Sequence, residues 1–429
     1  MEGEKLEEYC VKRLLTLTAV LAMVVSACAP DGDSSGQEGS VSVTSPPDST
    51  VTSKSEGSAG STGSTTTGRE LGERSALELF AGGNIGNQYP ATLPPPTIDT
   101  SELLRGQIPD GIPAIDDPQF VSVVEADAYL TDNEAVVVLD IDGDARAYPV
   151  QILIWHEIIN DVVGGLPVSI TYCPLCNSAV SYQRIVQGEV TTFGTSGLLF
   201  KSALVMYDRL TETLWTHYNG EAIAGLATGE RLPPISSPLL GWSEFKDTFP
   251  AGLVLDRDNT GYARSYGANP YADYDNPSGF PFLFRGELND QIGAQRRVAG
   301  VSIDGAAKAW TLEAISGLVT RATHDTVGEQ PVVVFWKSGQ ATALESGRID
   351  GGRDVGSVGV FVPEADGQML TFVGAGAGFG DDQTGSTWNV LGQAIDGPLT
   401  GIELIEVPHL DTFWFAWFSY NPGTLLVEG

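Results

Sequence analysis

Ile141-Asp142-Gly143-Asp144-Ala145-Arg146-Ala147-Tyr148 recurs later in the chain as Ile303-Asp304-Gly305-Ala306-Ala307-Lys308-Ala309-Trp310. Each copy places strand-forming residues on both sides of Asp-Gly, a strong marker of a tight hairpin. The recurrence continues outward. Asn160-Asp161-Val162-Val163-Gly164 answers to His324-Asp325-Thr326-Val327-Gly328, and Asp208, Thr211 and Trp215 answer to Asp381, Thr384 and Trp388. A period of about 165–173 residues is far longer than a solenoid repeat, so it points to tandem duplication. The fold expected is α+β and mainly β: two related β-rich domains with a few short helices. Residues 79–261 form the first copy, 262–294 an aromatic- and proline-rich connector, and 295–429 the second copy.

Within the first copy, 136–141 and 145–150 read as strands. Apolar residues at Ile152, Trp155, Ile159 and Val163 carry helical spacing, which predicts a helix over 152–163. Strands follow over 168–172, 179–186 and 189–193, and a short helix over 243–248. Asp161 is expected to serve the turn at Gly164-Gly165, and the glycine-rich run 374–380 is expected to be a flexible loop.

The chain has 429 residues, 42% hydrophobic and 18% charged, with a formal net charge of −32. That is apolar enough for a packed core, and acidic enough to repel phosphate backbones, so nucleic acid is excluded as a partner. At the N-terminus, Lys12-Arg13 precede a short apolar run that ends in Val25-Ser26-Ala27-Cys28. A basic region, a short apolar stretch and small residues before a cleavage point are the pattern of a secretory signal. The small residues before Cys28 resemble a bacterial lipobox, so 1–28 is expected to be a lipoprotein signal with Cys28 lipidated. Residues 29–78, rich in Ser, Thr and Gly, would be a disordered tether. The expected location is the cell membrane, lipid-anchored and facing the exterior.

Several stretches carry a family resemblance: Trp155-His156-Glu157-Ile158-Ile159-Asn160-Asp161, Tyr172-Cys173-Pro174-Leu175-Cys176, Phe193-Gly194-Thr195-Ser196-Gly197-Leu198-Leu199, Leu204-Val205-Met206-Tyr207-Asp208-Arg209 and Phe413-Trp414-Phe415-Ala416-Trp417. With these motifs the chain resembles the DUF3179 family, bacterial and archaeal proteins of unknown function, over roughly 112–426. The resemblance implies export and brings no reaction with it.

The chemistry-bearing candidates concentrate in the first copy. Where it has Cys173-Pro174-Leu175-Cys176, the second copy has Lys337-Ser338-Gly339-Gln340, and His156-Glu157 has no counterpart there. Three readings of the cysteines stay open. As soft-metal ligands for copper or zinc, the thiolates would share the ion with His156, His217 or Met206. As a redox dithiol they would make the protein a thiol-disulfide oxidoreductase, although the strand-like Asn177-Ser178-Ala179-Val180 after Cys176 is unlike the helix that follows a thioredoxin-type motif. As a structural disulfide they would belong to a non-catalytic envelope-binding protein. The leading expectation is soft-metal, copper-type binding at Cys173, Cys176 and His156, with Glu157, Met206 and His217 as supporting residues. No Gly-x-Ser-x-Gly elbow lies in the two copies, the one match (Gly32-Asp33-Ser34-Ser35-Gly36) falling in the tether, and His-Glu-x-x-His is absent from the sequence.

Overall fold

A computed structural model describes residues 74–81, 89–376 and 378–429. The signal-like segment and Cys28 lie outside the described residues. Helix α1 (Ala76–Phe80) is capped at Ser75 by a reciprocal bond with Glu78, and buries Ala76 and Leu77 against Leu198, Phe200 and Val205.

The first Asp-Gly stretch is the hairpin expected. Strands β1 (Ala135–Ile141) and β2 (Asp144–Pro149) pair antiparallel from Ile141↔Asp144 to Val136↔Pro149. Helix α2 (Val150–His156) then leads into a three-stranded antiparallel unit of β3 (Ile158–Val163), β4 (Leu166–Cys173) and β5 (Ser178–Gln183). A second antiparallel run holds β6 (Phe193–Phe200), β7 (Ala203–Asp208), β8 (Leu214–Thr216) and β9 (Ala222–Ala224). Helix α3 (Trp242–Thr248) follows a short strand paired to β1.

The later residues run through the same order of pairings. Strands β10 (Arg297–Ile303) and β11 (Ala306–Thr311) form the hairpin, and α4 (Leu312–Ser316) follows. Next come β12 (Ala322–Val327), β13 (Gln330–Lys337) and β14 (Ser357–Phe361). The run of four is β15 (Phe372–Ala375), β16 (Gly378–Asp381), β17 (Thr387–Trp388) and β18 (Ala394–Asp396). Strand β19 (His409–Phe413) then pairs with β10, and α5 (Trp414–Tyr420) follows. Each hairpin is closed by a late parallel strand: Leu253–Leu255 beside β2, and Leu425–Val427 beside β11.

Side-chain arrangements recur with the strands. Asp161 accepts from Arg146 at 2.8 Å and from the Tyr148 hydroxyl at 2.6 Å; Asp325 accepts from Lys308 at 2.6 Å and from Trp310 Nε1 at 3.0 Å. Asp208 accepts from the Thr211 amide at 2.6 Å and Trp215 Nε1 at 2.9 Å; Asp381 accepts from the Thr384 amide at 2.5 Å and Trp388 Nε1 at 3.0 Å.

Three expectations change. The helix stops at His156, because Glu157 adopts a left-handed conformation (φ 58°, ψ −30°) and the β-branched residues after it continue as a strand. The turn at Gly164 is bonded by Asp144 at 2.9 Å, while Asp161 is held by Arg146 and Tyr148. The glycine-rich run forms paired β15 and β16, joined Gly374↔Phe379 and Ala375↔Gly378.

The cores are shared between the two runs of strands. Val136, Val138, Leu240 and Trp242 pack in one cluster with Val333, Phe335 and Phe361, and Phe413, Phe415 and Ala416 join the cluster around β3–β5.

Candidate functional site

The cysteines lie where β4 turns into β5. Cys173 and Ser178 are register partners across this hairpin, and Pro174, Leu175, Cys176 and Asn177 make the connection. Asn177 takes φ 46°, which asparagine tolerates better than most residues. The turn is clamped from the far end of the chain: the Cys176 carbonyl accepts from Thr412 Oγ1 at 2.7 Å and from the Phe413 amide at 3.1 Å. The Leu175 carbonyl accepts from the Tyr274 hydroxyl at 2.9 Å. With its amide oxygen toward Arg297, Asn177 accepts from Nε at 2.9 Å and donates to the Tyr172 hydroxyl at 3.1 Å. Arg297, itself buried, is bound by Asp411 and Asp275.

Both cysteines are free thiols and buried. Their surroundings differ. Burial alone would push the Cys173 thiol up, but the neighbouring Cys176 side chain and the amides of Leu204, Cys176 and Leu175 bring it below the ordinary range. Turn amides and one strand amide thus act on this thiol as the amides of a helix N-terminus would. Burial, the contact with Cys173 and the Cys173 charge push Cys176 well up.

A polar chain leads away from Cys176. Its Sγ is 3.0 Å from Ser178 Oγ, which is 2.8 Å from His217 Nε2; His217 Nδ1 is 2.7 Å from Thr171 Oγ1, and Thr171 donates to the Val180 carbonyl at 2.5 Å. Since Thr171 gives its proton to Val180, it must accept from His217 Nδ1, so Nε2 accepts from Ser178. The direction of every bond from Ser178 onward is fixed. Burial holds His217 neutral, pushed down to about 3.

Glu157 opposes Tyr172 across β3 and β4, its carbonyl accepting from the Tyr172 amide at 2.9 Å. Glu157 is 7% exposed, and its carboxyl has no hydrogen-bond or ion-pair partner among the described residues. Burial, then the nearby Cys173 charge, pushes it well above the carboxylate range. It faces a small pocket of about 40 Å³ that Leu175, Leu204 and Tyr271 also line.

His156 lies apart from this arrangement. Its Nδ1 is 2.8 Å from the Pro113 carbonyl and its Nε2 is 2.8 Å from the Tyr266 hydroxyl, so both ring nitrogens are engaged; burial pushes it down to about 4. Met206 is fully buried on β7 between Thr195 and Trp215. Among the described residues, no three His, Cys, Asp or Glu side chains converge as metal ligands would. The structure therefore groups Cys173, Cys176, Glu157 and His217, and leaves His156 and Met206 to other contacts. Ser178 and Thr171 are the residues that sequence reasoning missed. Their signal was small hydroxyl residues on otherwise apolar strands beside the cysteines, which is common in any β protein.

Compared with known proteins, residues 109–424 match the family model described as "Protein of unknown function (DUF3179)". No curated protein and no solved structure matches the chain.

Proposed function

This chain belongs to the DUF3179 family, and we propose that in this member Cys173 and Cys176 form a buried thiol–disulfide redox pair, with Cys173 as the attacking thiolate and Cys176 as the resolving thiol. The observation that carries the reading is the unequal setting of the two sulfurs. One is cradled by three amides and lowered, and the other is raised and in contact with Ser178. An attacking thiol lowered from its ordinary range beside a partner held protonated is what dithiol exchange needs. Oxidation by a small disulfide joins the two sulfurs, breaks the oxidant's own S–S bond and passes two electrons and the Cys176 proton to it. Copper or zinc binding by the same thiols is the competing reading; among the described residues it would keep two sulfur ligands without a third His, Cys, Asp or Glu converging on them. The proposal includes export and a lipid anchor at Cys28.

Alkylation trapping of the full chain across a series of dithiol redox buffers, with mapping of the peptide that holds both cysteines, tests the reading. The peptide should lose two hydrogens reversibly, at a potential more oxidising than the roughly −300 mV typical of structural disulfides. A pair that stays alkylatable in every buffer, yet is protected by Cu(I) or Zn(II), would show a soft-metal site instead.

A further inference from the structure

Ser178, His217 and Thr171 are each 0% exposed, so bulk water does not compete for their hydrogens. The backbone of His217 is held from two sides: its amide donates to the Leu204 carbonyl at 3.1 Å, and its carbonyl accepts from the Tyr182 hydroxyl at 2.9 Å. Burial keeps the ring neutral, so it has one N–H, which Thr171 accepts, and one lone pair, which takes the Ser178 hydrogen. With that hydrogen spent, Ser178 Oγ presents only lone pairs to Cys176 Sγ at 3.0 Å. The Cys176 thiol must therefore donate, since otherwise lone pairs would meet lone pairs at that distance. The Cys173 carbonyl, at 3.8 Å, is the poorer acceptor. A disulfide sulfur has no hydrogen to give, so the bond to Ser178 exists only in the reduced protein.

We propose that Ser178 and His217 are positioning residues that set the potential of the cysteine pair: they fix Cys176 as a hydrogen-bond donor, which favours the reduced form and makes the disulfide more oxidising. The inference rests on the redox reading above. On oxidation by a small disulfide, the Cys173–Cys176 bond forms and the oxidant's S–S bond breaks. Its two sulfurs leave as one thiolate and one thiol, the thiol carrying the Cys176 proton. Ser178 is then left with lone pairs facing a sulfur that cannot donate. It cannot turn its hydrogen to that sulfur without giving up His217 Nε2. His217 in turn cannot carry its hydrogen on Nε2 without giving up Thr171, whose own hydrogen is held by the Val180 carbonyl at 2.5 Å. Oxidation thus removes one hydrogen bond and the chain offers no replacement, which is worth a factor of about three to ten in the equilibrium.

Equilibration of the full chain in dithiol redox buffers, read by alkylation trapping, gives the potential. Ser178→Ala should favour the disulfide about three- to tenfold more than the parent does, a shift of about 15–30 mV toward more reducing values. Ser178→Thr, which keeps the hydroxyl, should restore the parent potential. A serine that only supported the fold would lower the denaturation midpoint of both redox forms alike and leave the potential where it was. On the reduced parent, nitrogen-15 NMR should find His217 protonated at Nδ1 and bare at Nε2, a measurement that needs no variant to fold. A Ser178→Ala equilibrium within about 1.5-fold of the parent, or a His217 hydrogen on Nε2, would overturn the proposal. If the pair cycles and Ser178→Ala leaves its potential unchanged, this inference fails and the redox reading survives; if the pair never oxidises, both fail.

Discussion

His156 and Glu157 are neighbours with opposite proton preferences, and each should leave its own mark on stability. Folded His156 protonates at about 4, against 6.5 in an open chain. Its contribution is complete above pH 6.5 and is lost as pH falls toward 4, at up to about 1.4 kcal/mol per pH unit. Folded Glu157 holds a proton that the open chain gives up above its ordinary 4.5, so its contribution declines as pH rises past that value. Urea midpoints at pH 5 and pH 8 should separate them: His156→Gln should lose less stability than the parent on going to pH 5, and Glu157→Gln less on going to pH 8. Parallel pH profiles for parent and both variants would contradict the assigned burial. At this scale the sequence was partly legible. The cysteines, Glu157 and His217 were nominated from it, but nothing local could say that His156 spends both nitrogens on Pro113 and Tyr266, because those partners are 43 and 110 residues away.

Among the elements, the β4–β5 turn depends on residues remote in sequence. Thr412→Val removes the bond at 2.7 Å to the Cys176 carbonyl while the Phe413 amide still holds it, so the cost should be about 1 kcal/mol. Chemical denaturation gives that number. Alkylation of the native protein should quicken at the same time, because the clamp on the turn is halved. An unchanged alkylation rate would mean that the clamp does not control access. The hairpins were readable from Asp-Gly alone, since φ near 53° at Asp142 and 50° at Asp304 is what such turns require. The end of α2 was not readable. Ile159 and Val163 fit the helical spacing, and the break is made by a single left-handed glutamate whose sequence carries no stop signal.

Over the whole molecule, the shared cores bear on how the chain unfolds. With Val136, Val138 and Trp242 packed among Val333, Phe335 and Phe361, neither run of strands can open without exposing the other. Calorimetry of the ordered region should therefore show one cooperative transition, with matching calorimetric and van't Hoff enthalpies; two resolved transitions would show that each run holds itself together. The mainly β class and the order of strands were legible in the recurring motifs. The joint packing was not, because recurrence tells which segments are alike and is silent on which face of one lies against the other.

The clamp on Cys176 also sets a timetable. Thr412 lies 236 residues after the cysteine it covers, so during synthesis the thiols emerge long before the strand that shuts them in. A chain made from its N-terminus passes through a period when both sulfurs are open to any oxidant, thiol or metal ion around it. The chemistry open to the sulfurs of the newly made chain thus depends on how soon β19 arrives, and delaying that last strand should lengthen the time both can react in a molecule whose mature sequence is untouched.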